Sequence, residues 1–388
     1  MIDTTSAAVD QAAGLLPAGL RDVLPPRAGF EAAVTERLLA GFARQGYRRV
    51  KPPLIEFEDT LLAGAGKGLT SQMFRLMDPV SQRMMGLRTD TTPQVARIAA
   101  TRLQNEPRPL RLSYAGQVLR VRGSQLRPER QFAQVGVELI GSAALTADAE
   151  VVLLAAEELV GLGVTDLSID LTHPRLVPAV CAGLGMDPVH AEESRKALDR
   201  KDAVGLREVA GQDAALLIKL MQSAGPAEYA IHALDRLDLP GEAAFLVREL
   251  SELVVAIKAV APALQVTVDP SEFRGFEYQT GICFALFAKG VRGELGRGGR
   301  YTAEAATGSA EPATGFTLYL DSLMRALPTA EPGPSVYLPY GTRRDEAVDL
   351  RADGWTTIQG LEPVPDTLAE ARRLNCTHLF TGVRVEPV

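Results

Sequence analysis

The chain has 388 residues, 46% hydrophobic and 23% charged, with a formal net charge of −7. That length holds two or three domains, each able to bury its own core, and the composition is that of an ordinary globular protein. The acidic balance removes global electrostatic attraction as an argument for nucleic-acid binding, although a local basic stripe is still allowed.

Residues 1–11 carry Asp3 and Asp10 and no basic n-region, so they read as a short lead-in and not as a secretory signal. A turn-rich loop, LPAGLRDVLPP (16–26), precedes a helix predicted over 30–46, where Val34, Leu38, Leu39 and Phe42 recur at helical spacing and Gly46 is the stop. Residues 47–57 read as an extended strand that Pro52 and Pro53 confine to an edge or an interface. A hairpin is expected over 73–78 and 82–87 around Asp78-Pro79, then a helix over 92–103 with Pro93 in its first turn. Two long antiparallel strands follow, 110–122 and 130–141, and an apolar helix over 148–162 closed by Gly161 or Gly163.

A strand at 167–171 leads into a stretch, about 174–260, that reads as almost wholly helical, before strand character returns at 264–268 and 281–287. A helix over 316–326 ends this body. PTAEPGP (328–334) is the clearest linker, and the residues beyond it alternate strand and helix: 336–338, 344–350, 356–358, 367–374 and 377–380. The expected organisation is a core in two parts, 1–173 and 263–327, around a helical insertion at 174–262, then the linker and a small α/β piece at 335–388.

Cys181, Cys283 and Cys376 are scattered, and the four histidines form no pair at metal-ligand spacing. The expectation is reduced thiols in a cytoplasmic protein with no metal and no cofactor. No apolar run approaches the ~18 residues of a membrane span; the stretch 150–164 is interrupted by Glu157 and Glu158.

Several segments then fall in one recognisable order. LPAGLRDVLPP is similar to the start of histidyl-tRNA synthetases, and 46–56 resembles the class II motif that builds their dimer interface. LRTDTTP (87–93) followed by Arg97 resembles the family's LRPEGT segment, and 111–141, ending QFAQVGVELIG, resembles the motif 2 hairpin. RGFEYQTG (274–281) resembles the family's RGLDYYTG, with GGRY (298–301) and 315–323 after it. The resemblance covers about residues 15–327. It implies an α+β fold, a class II aminoacyl-tRNA synthetase-like antiparallel sheet of six or seven strands flanked by helices, in a homodimer.

Function must be argued from the site and not from the fold. On the nucleotide side the family's pattern is damaged. Arg120 is kept, but the glutamate two residues on is Arg122. The third motif, close to GFxxGxERL in the family, here has Tyr319 for the internal glycine, Asp321 for the glutamate and Ser322 for the arginine. Serine cannot make the planar charged stack that arginine makes on a base, and each lost transition-state contact typically costs ~3–4 kcal/mol.

The amino-acid side is largely kept. The resemblance gives Asp90 and Thr92 to the α-amino group, Gln134 and Glu138 to the amino group and imidazole, and Arg274 to the carboxylate. Tyr278 keeps the first of two family tyrosines and Gln279 replaces the second. The implied ligand is histidine. Arg120, Arg122, Arg127 and Arg130 form a candidate anion site on the hairpin loop, with a solvated basic hairpin as the plainer alternative.

The tail departs as well. Residues 343–388 hold six arginines and no lysine against eight acids, so the phosphate-binding surface of an anticodon-binding domain is missing. A damaged nucleotide half, a kept histidine half and a shrunken tail together resemble the regulatory subunits of ATP phosphoribosyltransferase. That family resemblance implies a non-catalytic homodimer within a hetero-oligomer. Its partner would be a short catalytic chain, a glycosyltransferase that opens histidine biosynthesis. The subunit would be needed for that chain's activity and would carry feedback inhibition by histidine, with no membrane or nucleic acid expected. An active histidyl-tRNA synthetase and a tRNA-binding pseudo-synthetase are the alternatives.

Overall fold

The computed structural model describes residues 16–123, 128–273, 278–304, 308, 310–328 and 333–388. Helix α1 (Arg27–Arg44) leads through β1 (Arg48–Arg49) and β2 (Ile55–Phe57) to α2 (Glu58–Leu61) and a 3-10 helix, Gly64–Gln72. The hairpin β3 (Arg75–Met77) and β4 (Met84–Leu87) precedes α3 (Thr92–Thr101), then the long strands β5 (Leu110–Leu119) and β6 (Gln131–Ile140), α4 (Leu145–Leu162) and β7 (Leu167–Thr172). The helical stretch comprises α5 (Leu176–Gly183), α6 (Pro188–Asp199), α7 (Ala203–Ala210), α8 (Ala214–Gln222), the short strand β8 (Gly225–Pro226), α9 (Ala227–Leu234) and α10 (Gly241–Val260). Strands β9 (Gln265–Val268), β10 (Gln279–Ala288), β11 (Gly296–Glu304) and β12 (Ala310–Tyr319) return the chain to the sheet before α11 (Leu320–Ala326).

The main sheet has nine strands in the order β1-β5-β6-β12-β11-β10-β7-β9-β8. Pairing is antiparallel except at β1 with β5 and β7 with β9. The sheet is wider than the six or seven strands the resemblance implied, because two-residue strands are added at both edges, one of them, β8, from the helical stretch.

Both faces of the middle strands are covered, so β6 is buried along nearly its whole length. On one face Val135, Val137, Leu139, Phe316, Leu318 and Leu286 pack beneath α1, α4 and α10. The Phe42 and Phe316 rings meet there edge to face, 5.6 Å apart. On the other face Val95, Ala96 and Ala99 of α3 sit on Leu110, Leu112, Ile140 and Ala313. Side chains two apart on a strand share a face, which puts Gln134 and Glu138 on this second, α3-bearing side.

The helix expected over 316–326 begins only at Leu320; Phe316 to Tyr319 are strand. Phe316, Leu320 and Leu323 recur at helical spacing, but Phe316 to Tyr319 are hydrogen-bonded between β6 and β11, and pairing on both sides overrides the local pattern. Strand β11 gave no signal, since Gly296, Gly298 and Gly299 break the alternation in its first half.

The chain divides into two compact units, 1–328 and 329–388, and the helical stretch shares the core of the first. The second unit has its own sheet, β14-β13-β15-β16: β13 (Ser335–Leu338), β14 (Thr356–Gln359), β15 (His378–Phe380) and β16 (Val385–Pro387). Helix α12 (Arg344–Ala352) covers Val336 and Leu338 through Ala347; α13 (Thr367–Arg373) covers Tyr337 through Ala371. Among the described residues no helix is long and apolar enough to cross a membrane, and no group of His, Cys, Asp or Glu could hold a metal ion.

Candidate functional site

The site grows from the short loop 88–92 that feeds α3. Pro93 sets the first turn of that helix, and the backbone N–H of Thr92 donates to Oδ1 of Asp90 at 2.9 Å. From the sheet below, Oε1 of Gln134 accepts from the N–H (3.1 Å) and hydroxyl (3.0 Å) of Thr91, while Nε2 of Gln134 donates to Oδ2 of Asp90 at 3.1 Å. The Glu138 carboxyl accepts from the Thr92 hydroxyl at 2.8 Å on one oxygen and from the Tyr301 hydroxyl at 2.8 Å on the other. Tyr114 completes the ring, its hydroxyl 2.7 Å from Thr317 Oγ1 and 3.4 Å from Thr92 Oγ1. Asp90, Thr92, Gln134 and Glu138 are therefore brought together as the motif order implied.

Glycines make the room. A Cβ at Gly136 would press on the Tyr114 hydroxyl at 2.6 Å, and one at Gly116 would meet the Arg88 guanidinium at 2.2 Å. Burial pushes the Glu138 carboxyl up to about 8, against the hydrogen bonds from Tyr301 and Thr92 and with help from nearby Asp90. Near neutral pH the unliganded site thus holds a mostly uncharged acid that can release its proton when a cation arrives. Burial also raises the Tyr114 and Tyr301 hydroxyls well above their ordinary range, so both stay protonated.

Gln279 pairs across the sheet with Tyr301 and is buried, and its Oε1 has no hydrogen-bond partner among the described residues. A buried acceptor left open costs free energy unless something fills it. Tyr278 is half-exposed beside it, its ring edge-on to Tyr301 at 6.0 Å. Arg274 and Arg127 lie outside the described residues.

The neighbouring half of the face is occupied. The Tyr319 ring packs edge-on against Phe132 at 6.0 Å, and the Arg120 guanidinium lies over that same Phe132 ring at 5.1 Å. Ser322 is buried and accepts a hydrogen bond from Arg325 at 3.0 Å. Arg297 on β11 faces this half and forms a forked ion pair with Glu294, closest approach 2.7 Å. Arg130 donates to the Ala18 and Arg120 carbonyls and covers Phe74; Arg122 is exposed.

Sequence reasoning missed Tyr114, Thr317, Arg297 and the role of Tyr301. The first two sit directly across from Gly136 in neighbouring strands. A register worked out from the motif 2 hairpin would have found Tyr114. Thr317 was hidden by the helix expected there.

Comparison with known proteins bears on the family and the fold. A family model described as histidyl-tRNA synthetase matches residues 19–323. The chain is 54% identical over 384 residues, 99% of each protein, to an ATP phosphoribosyltransferase regulatory subunit of Rhodospirillum centenum. It is 56% identical over 364 residues, 94% of this chain and 95% of the other, to one from Paramagnetospirillum magneticum. Among solved structures, an ATP phosphoribosyltransferase regulatory subunit/histidyl-tRNA synthetase from Bacillus halodurans superposes with a TM-score of 0.78 at 26% identity, covering 93% of this chain and 96% of that one. On the strength of near-full-length identity above one half and a shared class II histidyl-tRNA synthetase-like fold, the chain belongs to the family of ATP phosphoribosyltransferase regulatory subunits.

Proposed function

We propose that this chain is the histidine-responsive, non-catalytic partner of a short ATP phosphoribosyltransferase catalytic chain, a cytoplasmic glycosyltransferase that opens histidine biosynthesis. It acts as a homodimer within a hetero-oligomer, and the catalytic chain needs it for activity. Histidine occupies the site bounded by Asp90, Thr92, Gln134, Glu138, Tyr278 and Gln279, and the family motif assigns its carboxylate to Arg274, which lies outside the described residues.

One observation carries this reading: Glu138 is enclosed by donors and uncharged near neutrality, and its partner Tyr301 pairs across the sheet with Gln279, whose buried Oε1 has no partner among the described residues. An α-ammonium beside Glu138 and Asp90 and a ring N–H on Gln279 would satisfy both. The adjoining half, filled by Tyr319 on Phe132, supports regulation over adenylate chemistry. A coupling of ~1–3 kcal/mol between this cavity and the catalytic chain is enough for feedback.

The test is co-purification with a short-form catalytic chain, then an assay with and without L-histidine. Activity should require both chains and fall with histidine, and Glu138→Ala should abolish the fall. Inhibition unchanged by Glu138→Ala would remove the cavity from the mechanism.

A further inference from the structure

The loop that carries Asp90 and Thr92 is anchored by one guanidinium, that of Arg88, whose hydrogen bonds from Nε and Nη1 go to none of the candidate ligand residues. Arg88 is buried at 6% exposure. Its Nε donates to the Gln117 carbonyl at 2.7 Å, and its Nη1 donates to the Pro52 carbonyl at 3.1 Å and Gln94 Oε1 at 3.4 Å. Gln94, itself buried, donates Nε2 to the Pro53 carbonyl at 2.8 Å. The backbone adds to this: Arg88 N–H donates to the Leu54 carbonyl and Leu119 N–H to the Arg88 carbonyl, both at 3.0 Å. The missing Cβ of Gly116 leaves the space in which the fork lies.

We infer that Arg88, with Gln94, is the positioning residue of the cavity. It ties three things together: the loop 88–92, the end of β5, and residues 52–55, whose Leu54 and Ile55 side chains are exposed at 45% and 36%. The planar fork matters because three acceptors lie in different directions. A lysine keeps the charge but has a single flexible head and cannot reproduce that geometry. Without the brace, Thr91 and Thr92 lose their fixed height over Gln134 and Glu138. The cavity then loosens while the sheet beneath stays paired. The effector lip and the exposed 52–55 strip are therefore set by the same side chain, so disturbing either end is felt at the other.

This inference rests on reading the cavity as the histidine site, and its test separates the two. Hydrogen exchange of the Thr91 and Thr92 amides is measured in the full, unliganded chain for wild type, Arg88→Lys and Arg97→Lys. Arg97, on α3, pairs with Glu56 and does not hold the loop. In Arg88→Lys, exchange at Thr91 and Thr92 should rise about tenfold or more while the β5 and β6 amides keep their protection. Arg97→Lys should leave both loop amides unchanged. Titration with L-histidine should then show weaker binding in Arg88→Lys and unaltered binding in Arg97→Lys. If Arg88→Lys does not fold, Gln94→Leu is read the same way, with a smaller rise. Wild-type protection retained in a folded Arg88→Lys chain overturns the inference. So does equal loosening in both arginine variants. Failure of the wild type to bind histidine would instead overturn the reading of the cavity, and the exchange data would still decide the brace.

Discussion

A Cβ on Gly315 would stand 2.2 Å from Oε2 of Glu138 and 2.4 Å from the Val137 carbonyl across the β6–β12 pairing. The Glu138 carboxyl therefore occupies the space left by a missing side chain. The first substitution to make is the smallest, Gly315→Ala. It should turn the carboxyl away from the Tyr301 and Thr92 hydroxyls. Overpacking of this kind costs ~1–3 kcal/mol, and histidine affinity measured by calorimetry should fall about tenfold or more. Wild-type affinity in this variant would show that the carboxyl is not needed where it lies.

Proton release gives a second test. With Glu138 at about 8 in the empty site, an arriving ammonium should drive off most of one proton per site near pH 7. Calorimetry in buffers of different ionisation enthalpy reads that proton, and Glu138→Gln should show less release than wild type. The stability consequence has a definite sign. Because the folded carboxyl binds its proton more tightly than the unfolded one, its contribution is complete below about 4.5 and is lost as pH rises through about 8. Urea midpoints of wild type should fall relative to Glu138→Gln across that window.

His173 should act at the acid end. It is buried and its ring is pushed down to about 4, by burial first and by Arg175 second, so it folds neutral. Between about 4 and 6.5 the unfolded chain binds the extra proton, so stability falls as pH drops through that range. His173→Gln should flatten this acid limb in urea denaturation, and an unchanged slope would count against a neutral buried ring.

Tyr319→Gly examines the occupied half. Removing a buried aromatic side chain costs ~3–5 kcal/mol, so urea stability should drop. Histidine-dependent ATP–pyrophosphate exchange should stay absent, since Ser322 and Arg122 are unrestored. Exchange activity in this variant, or in wild type, would favour a working synthetase.

The packing of the sheet face beneath α1, opposite the one that carries Glu138, is tested by Phe316→Ala. Phe316 meets Phe42 on the side away from Glu138. A loss of ~3–5 kcal/mol is expected, and the remaining folded protein should bind histidine with wild-type affinity.

Much of this was legible in the chain because local pattern and motif order agree. The 3.6-residue stripe at Val34, Leu38 and Phe42 is buried in α1, the two long strands fall within a few residues of β5 and β6, and Pro93 opens α3. Where local pattern conflicted with pairing, the sequence misled: Phe316 to Tyr319 read as helix because their leucine neighbours repeat at helical spacing. Strand β11 was silent, since Gly296, Gly298 and Gly299 break the alternation in its first half.

The sequence by itself determined the family and the α+β class, and it pointed to Asp90, Thr92, Gln134 and Glu138, which the fold brings together, because these depend on order and spacing along one strand or loop. Only the tertiary structure decided that Glu138 is uncharged at rest, that Gln279 has a buried acceptor with no partner among the described residues, and that Arg88 reaches Pro52, Gln94 and Gln117 at once. Those properties come from burial and from contacts between segments far apart in the chain. Dielectric surroundings and partner geometry are set by what folds over a residue, and no local spacing encodes them.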